Sequence, residues 1–429
     1  MKLPVCGFLA LLIPGLALAM EPCLQRDSLP QPSGPIIEVA STSELNSAVA
    51  NLSPGDTIRL QPGTYPLSST LYLRKNNVTL FGAGEDCGDV VLSGNGMDNA
   101  NHGNVVHGIW SDAQNLTIMN LTIRDIYEHG IVFNSGAQAP LISSVAIINT
   151  GTQFIKANPT GYSVGVDDGV VENSLFWYDN GPAKTDHGAG VGYFNGIDVH
   201  GGSNWRISNN RFENFHTPDS AVNLWNPAIL MWNGASNTIA ENNVFIDVDR
   251  AIAFGLVDRS EGFDHQGGII RNNMIYNRPG LFSANRKYNS DAAILVWNSP
   301  NTAVAHNTIL TSGNLNKSIE MRFNSSGTTV VNNLLDAPIG VRNGGTYNEA
   351  GNFDGADAAM FVDPQSGNLR LKEGAQEARD RVDYSSYAPE DIDGTSRSGN
   401  NNVDVGAHEF VGTAPPMPPS DVRAIESNG

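Results

Sequence analysis

Between residues 195 and 343 a short run of alternating apolar and polar positions returns five times, as NGIDVHGG, PAILMWNG, RAIAFGLV, AAILVWNS and SIEMRFNS. Aligned on isoleucine, Ile197, Ile229, Ile252, Ile294 and Ile319 share one apolar column. Two residues on, Val199, Met231, Phe254, Val296 and Met321 share a second. A side-chain period of two is that of a β-strand, so both columns face a core and the residues between and after them face outward. The outward columns are Asp198, Leu230, Ala253, Leu295, Glu320 and His200, Trp232, Gly255, Trp297, Arg322. Upstream, HGIWSD places Trp110 and Asp112 outward, HGIVFN places Val132 and Asn134, and QFIKANP places Lys156 and Asn158; downstream, PIGVRNGG places Gly340 and Arg342. Nine stacked strands of one sheet are predicted.

Between these phrases asparagine marks the turns, at Asn120, Asn173, Asn210, Asn243, Asn273, Asn307 and Asn333, with steps from Asn173 onward of 37, 33, 30, 34 and 26 residues. A repeat of this length with unequal loops is that of a solenoid, and the interval from Asn120 to Asn173 has room for two coils. Asn tolerates the left-handed backbone region, and its amide can bond the next Asn above it. The sequons at Asn77, Asn115 and Asn120 are therefore expected to be ladder positions rather than glycosylation sites.

Ahead of the repeats, STSELNSAVANL carries a capping box of Ser41 and Glu44, with Leu45, Ala48, Val49 and Leu52 at helical spacing, so one short amphipathic helix is predicted. Alternating Ile58/Leu60 and Leu71/Leu73 between Pro-Gly turns predict strands. The stretch from Glu38 to Gly84, centred on PGDTIRLQPGTY, resembles the opening segment of pectate-lyase-like right-handed parallel β-helix proteins. The run DIDGTSRSGNNNVDVGAHEF resembles the closing D-x-x-G-x-x-R…VD-x-GA-x-E segment of secreted bacterial members. The expected fold is all-β, a right-handed parallel β-helix over 37–345 with a short N-terminal capping helix, and a C-terminal cap region over 346–411. Residues 21–36 read as a linker, and 412–429 as a Pro-rich disordered tail.

Composition adds location. The first 20 residues, MKLPVCGFLALLIPGLALAM, have the basic start, apolar run and small-residue end of a secretory signal peptide, so a secreted or periplasmic protein without a membrane span is expected. Cys23 and Cys87 are then the remaining thiols, an even number in an oxidising compartment, and whether they pair is left open. The net charge of −19 excludes nucleic acid as the natural partner. From Arg250 to Arg342, however, nine Lys and Arg stand against six Asp and Glu, a local cationic excess.

The outward columns carry the candidate chemistry. Adjacent coils lie about 4.8 Å apart, close to the rise of one sugar ring per coil, so an outward stripe matches a long glycan. Lys156, Asp198 and His200 meet on adjoining coils, an acid–base set with a histidine that titrates near neutrality. Trp232 and Trp297, two coils apart across Ala253 and Gly255, predict an aromatic trough, with Asn233 and Asn298 beside them to bond hydroxyls. Asn158 is expected next to His200, and Glu320, Arg322 and Arg342 are read as distal substrate-binding positions, Glu320 and Arg322 lying about 19 Å from Asp198.

The resemblance implies action on an acidic polysaccharide or oligosaccharide by β-elimination or C5 epimerisation. Lys156 or His200 would be base and the other acid, and Arg250 would neutralise the uronate carboxylate. The alternatives are a glycoside hydrolase or a non-catalytic glycan-binding β-helix; a monomer is expected in each case. Asp198 has no outward acidic partner on either neighbouring coil, the polygalacturonase motifs are missing apart from Asp167-Asp168, and the D-P-H-D of alginate epimerases is absent. No cofactor is required by the sequence. Two cation sites are conceivable: Asp186, His187, Asp198, His200 and His216 around one ion, or Asp167, Asp168 and Glu172 around calcium.

Overall fold

Alternation written in register over so many segments builds a stack in which each strand pairs with its counterpart one coil away. The computed structural model describes residues 34–412 without 261, 400 and 401, together with Cys23, Leu29 and Pro32. The N-terminal apolar run, most of the linker and nearly all of the Pro-rich tail lie outside the described residues.

Among these residues the chain is a right-handed parallel β-helix. One face is a ten-stranded sheet running from Ser69–Leu73 to Ile339–Arg342. It holds all nine expected strands, and Ser69–Leu73 adds a tenth by pairing Leu71 with Ile109. The register is the one read from the sequence: Ile197, Ile229, Ile252, Ile294 and Ile319 are successive partners, and all are fully buried. The other two faces join into a twenty-stranded sheet, because Thr117–Ile126 and Leu141–Thr150 each run through the corner between them. Inside, Phe176, Phe212 and Phe245 stack face to face, with ring centroids 4.7 and 4.9 Å apart, which is the coil spacing expressed in side chains.

The asparagine ladder is continuous from Asn210 through Asn243, Asn273, Asn307 and Asn333 to Asn352, each Nδ2 donating to the next Oδ1 at 2.9–3.0 Å. Asn173 belongs one column earlier. It has φ 51°, like Asn209, Asn242 and Asn272, and Ser174 takes the ladder position, its N–H donating to Asn210 Oδ1 at 3.0 Å. The left-handed column and the ladder column are adjacent, so a single Asn does not say which it occupies. Asn77, Asn115 and Asn120 all have positive φ, and Asn115 Nδ2 donates to Asn77 Oδ1 at 2.9 Å. The last strand of the stack is Asn348–Ala350, just beyond Gly345.

The helix Thr42–Ala50 closes the upper end, with Ser41 Oγ accepting from Glu44 N–H and Glu44 Oε2 from Ala40 N–H. Cys23 and Cys87 form a disulfide. At the lower end the closing motif has a physical centre: the fully buried Arg397 bonds Glu409 Oε1 at 2.8 Å, Asn272 Oδ1 at 2.9 Å and Gly406 O at 2.9 Å. One guanidinium thus sews the cap to the stack. No helix among the described residues is long and apolar enough to cross a membrane.

Candidate functional site

Strands Ile155–Ala157, Ile197–His200 and Pro227–Trp232 lie side by side in the ten-stranded sheet, with Lys156 opposite Asp198 and His200 opposite Trp232. Their outward side chains converge. The Lys156 ammonium forms a short ion pair with Asp198 Oδ2 and lies 2.7 Å from His200 Nε2. The Trp232 indole N–H donates to Asp198 Oδ1 at 2.9 Å, and the His200 ring tilts against the indole with centroids 4.4 Å apart. The Asp198 side chain is 0% exposed, Lys156 11% and His200 17%, so the carboxylate is sealed while its two partners keep some contact with solvent.

Burial by itself raises the Asp198 pKa, but the Lys156 charge and the His200 hydrogen bond outweigh it and hold the carboxyl below the usual carboxylate range. Asp198 is therefore a fixed anion. Lys156 Nζ and His200 Nε2 lie within hydrogen-bond distance of one another, and both stand against the Asp198 carboxylate.

Several residues of this groove carry no signal in the outward columns. His107 and His129 stack on neighbouring coils, with ring centroids 5.0 Å apart and planes 3° from parallel. Burial pushes His107 down to about 4, and burial with the charges of His107 and Lys156 pushes His129 down to about 3. Both imidazoles are neutral at neutral pH. His102 stacks on Tyr127 at 4.2 Å, and His187 meets the edge of the same ring at 4.5 Å. Burial, then the Asp198 charge, raises the Tyr193 pKa, so its hydroxyl stays protonated. Except for His107, which lies inside the strand Asn104–Ser111, these residues precede the strands or lie on the insertion before Ile197, where a period-two pattern says nothing. The clustering of His102, His107 and His129 ahead of successive isoleucines was the available clue.

The aromatic trough is not formed. Trp297 is buried at 4% exposure, with the guanidinium carbons of Arg250, Arg322 and Arg342 lying 5.4, 4.6 and 5.3 Å from its ring centroid. Trp232 is half-buried, with its indole N–H turned to Asp198. Gly255 is a turn residue at φ 76°, where an added Cβ would fall 1.9 Å from Trp297 O; it is not a gap left for a sugar. Asn233 and Asn298 are left-handed turn residues: Asn233 Oδ1 accepts from Arg259 at 3.1 Å, and Asn298 is 1% exposed. Asn158 is half-buried, in line with His200.

Arg250 is equally withdrawn from its assigned role. It lies opposite Pro227, not near Lys156, pairs with Asp291 and donates to Trp225 O at 2.6 Å. Glu320 is fully buried between Lys317 at 2.7 Å and Arg342 at 2.9 Å, so it reaches no ligand. Arg322 and Arg342 remain partly exposed. The cationic excess of the sequence is thus real, with Arg250, Lys317, Arg322 and Arg342 against Asp291 and Glu320. Most of it is internally paired, because charges this deep need counterions.

Neither cation set of the sequence assembles. His216 is bound to Asp249 at 2.6 Å, and Asp186 caps the N–H groups of Gly188 and Gly190 at 2.8 Å in the exposed insertion. That insertion leans on Asp98 through Lys184 and Thr185 rather than on the coil of Asp198. Asp167 Oδ1 accepts from Ser203 N–H, Asp168 Oδ1 from Asn204, and Glu172 Oε1 from Ser143. These oxygens serve separate turns and do not form a calcium cage. Among the described residues, two groups do bring three ligand atoms within 4.8 Å: His107, Glu128 and His129, and Asp391, Asp393 and His408.

No family model matches the chain, and no curated protein matches it. Solved structures align with much of its length at low similarity. The pectate lyase Pel9A aligns over 88% of this chain and 97% of its own at 15% identity and a TM-score of 0.49. An alginate lyase from Paenibacillus sp. aligns over 74% and 94% at 17% and 0.40. The surface protein and adhesin PfbA of Streptococcus pneumoniae aligns over 72% and 94% at 13% and 0.42. Likeness at this level concerns the fold, and no residue role passes from these proteins to this chain.

Proposed function

We propose that this chain is an exported polysaccharide lyase or C5-epimerase acting on a uronate-containing glycan, with Lys156 as base and His200 as its proton partner. The observation that carries the reading is the Lys156 ammonium held between a sealed carboxylate and the His200 imidazole on the outward face of the sheet. Lys156 passes a proton to His200 Nε2, and the freed amine takes the C5 proton of the uronate. In elimination the electron pair becomes the C4–C5 double bond as the C4–O bond breaks, and the leaving oxygen takes the proton from His200. In epimerisation the same carbanion is reprotonated on its other face by a solvent water, and the proton held by His200 neutralises the hydroxide so formed. Asp198 keeps its charge throughout.

Hydrolysis fits less well, since Asp198 is enclosed by Lys156, His200 and Trp232 and has no carboxylate opposite it on either neighbouring coil. Arg322 and Arg342 are retained as distal contacts for an anionic polymer. Export rests on the N-terminal apolar run and on the Cys23–Cys87 disulfide, a bond that persists in oxidising compartments.

The test is absorbance near 232 nm, where unsaturated uronate ends absorb, during incubation with a panel of uronate polymers. Lys156→Ala is expected to cut the rate by about 10²–10⁴-fold, and His200→Ala to do the same with binding retained. Silence on every polymer removes elimination, and C5 proton exchange then separates an epimerase from a glycan-binding module.

A further inference from the structure

We infer that His107, Glu128 and His129 form a binding site for a divalent cation of the zinc type, on the coils next to that of Lys156. The three residues come from two neighbouring coils. Gly108 N–H donates to His129 O at 3.0 Å, so the residues before Ile109 and Ile131 are held side by side by the sheet itself. Glu128 Oε2 stands 3.8 Å from His107 Nδ1, and one donor atom from each residue falls within 4.8 Å of the others.

A second observation points to a ligand. His107 Nδ1 is buried without a hydrogen-bond partner, so its desolvation is uncompensated. His129 is prepared differently: its Nδ1 lies 2.6 Å from Thr152 Oγ1, which fixes the ring and leaves Nε2 to bind. The parallel rings do not yet aim at one point. Binding requires the His107 ring, whose Nδ1 has no hydrogen-bond partner, to turn until the donors reach the roughly 3.3 Å separation that bonds of about 2.0 Å impose in a tetrahedral site.

The donor set selects the ion. Calcium takes six to eight oxygens, whereas two imidazoles and one carboxylate suit zinc and leave its fourth position open. The other cluster, Asp391, Asp393 and His408, is already committed to the cap: Asp391 accepts from Asp393, Thr395 and Glu409 N–H groups, and Asp393 pairs with Arg370. The open position of the groove site would take a carboxylate of the glycan next to Lys156, the neutralising role that Arg250 cannot fill. This last step rests on the lyase or epimerase reading; the metal site itself does not.

The test uses the whole protein, stripped with a chelator and titrated with Zn2+ alone by calorimetry, and with Co2+ by visible absorption. One equivalent is expected to bind with micromolar or tighter affinity, and Ca2+ is expected to give no comparable binding. His107→Ala and His129→Ala should each weaken Zn2+ binding by at least about 100-fold and abolish the Co2+ bands, with unchanged circular dichroism verifying the fold. Glu128→Gln, which keeps shape, should weaken binding without unfolding. Absence of stoichiometric Zn2+ binding, or binding that survives in both histidine variants, overturns the site. No substrate enters these measurements, so their failure is distinct from silence at 232 nm.

Discussion

Asp198 shows how much one residue depends on its partners. A carboxylate with no solvent contact is tolerable because Lys156 and the Trp232 N–H bond it while His200 lies 3.4 Å away. Removing a single partner leaves a buried charge without compensation. Lys156→Met is therefore expected to lower stability by about 3–5 kcal/mol, and adding Asp198→Asn to return much of that loss, since an amide needs no counterion. Urea denaturation of the two single variants and the double variant checks the cycle. Equal losses in Lys156→Met and in the double variant would show that the lysine contributes only its packing. Activity should be absent from the single Lys156 variant and the double variant alike, which separates stability from chemistry.

At the scale of the element, the asparagine ladder does for the turns what the isoleucine columns do for the strands. Asn243 accepts from Asn210 and donates both to Asn273 Oδ1 and to Ile207 O, so it ties three successive coils. Asn243→Ala removes these bonds and leaves buried partners unsatisfied, for an expected loss of about 2–4 kcal/mol. Asn209→Ala, one residue earlier, should act differently, through the strain of φ 57° on a residue with a Cβ. Thermal unfolding compares the two. Hydrogen exchange should show faster opening in the coils flanking Asn243, because in a solenoid each repeat is held chiefly by its neighbours.

For the whole molecule, buried histidines make stability depend on pH. His265 is fully buried, with Nδ1 2.9 Å from Ser299 Oγ and Nε2 3.1 Å from Thr238 Oγ1, and burial pushes its pKa down to about 3. The unfolded chain, with an ordinary value near 6.5, binds the proton first. The contribution is thus present above about 6.5, is lost as the pH falls toward 3, and amounts to roughly 2–3 kcal/mol by pH 4.5. Denaturation midpoints at pH 7.5 and 4.5 should differ accordingly. His265→Gln should flatten the slope, and an unaltered slope would place the sensitivity elsewhere.

The isoleucine register, the capping helix and the closing cap were legible in the sequence because each is written in residues close along the chain, with a period of two, a capping box or a fixed motif. The convergence of Lys156, Asp198 and His200 was legible for the same reason, since register alone sets residues on adjoining strands opposite one another. What only the tertiary structure decided is which outward side chains stay open. Three arginines from different coils fold over Trp297, Arg250 turns to Asp291, and His107, inside its strand, meets Glu128 and His129 from the turn before the next one. A strand pattern states the direction in which a side chain leaves the sheet. Long side chains then travel across neighbouring coils, and desolvation and counterion pairing, which act through space, determine where they come to rest.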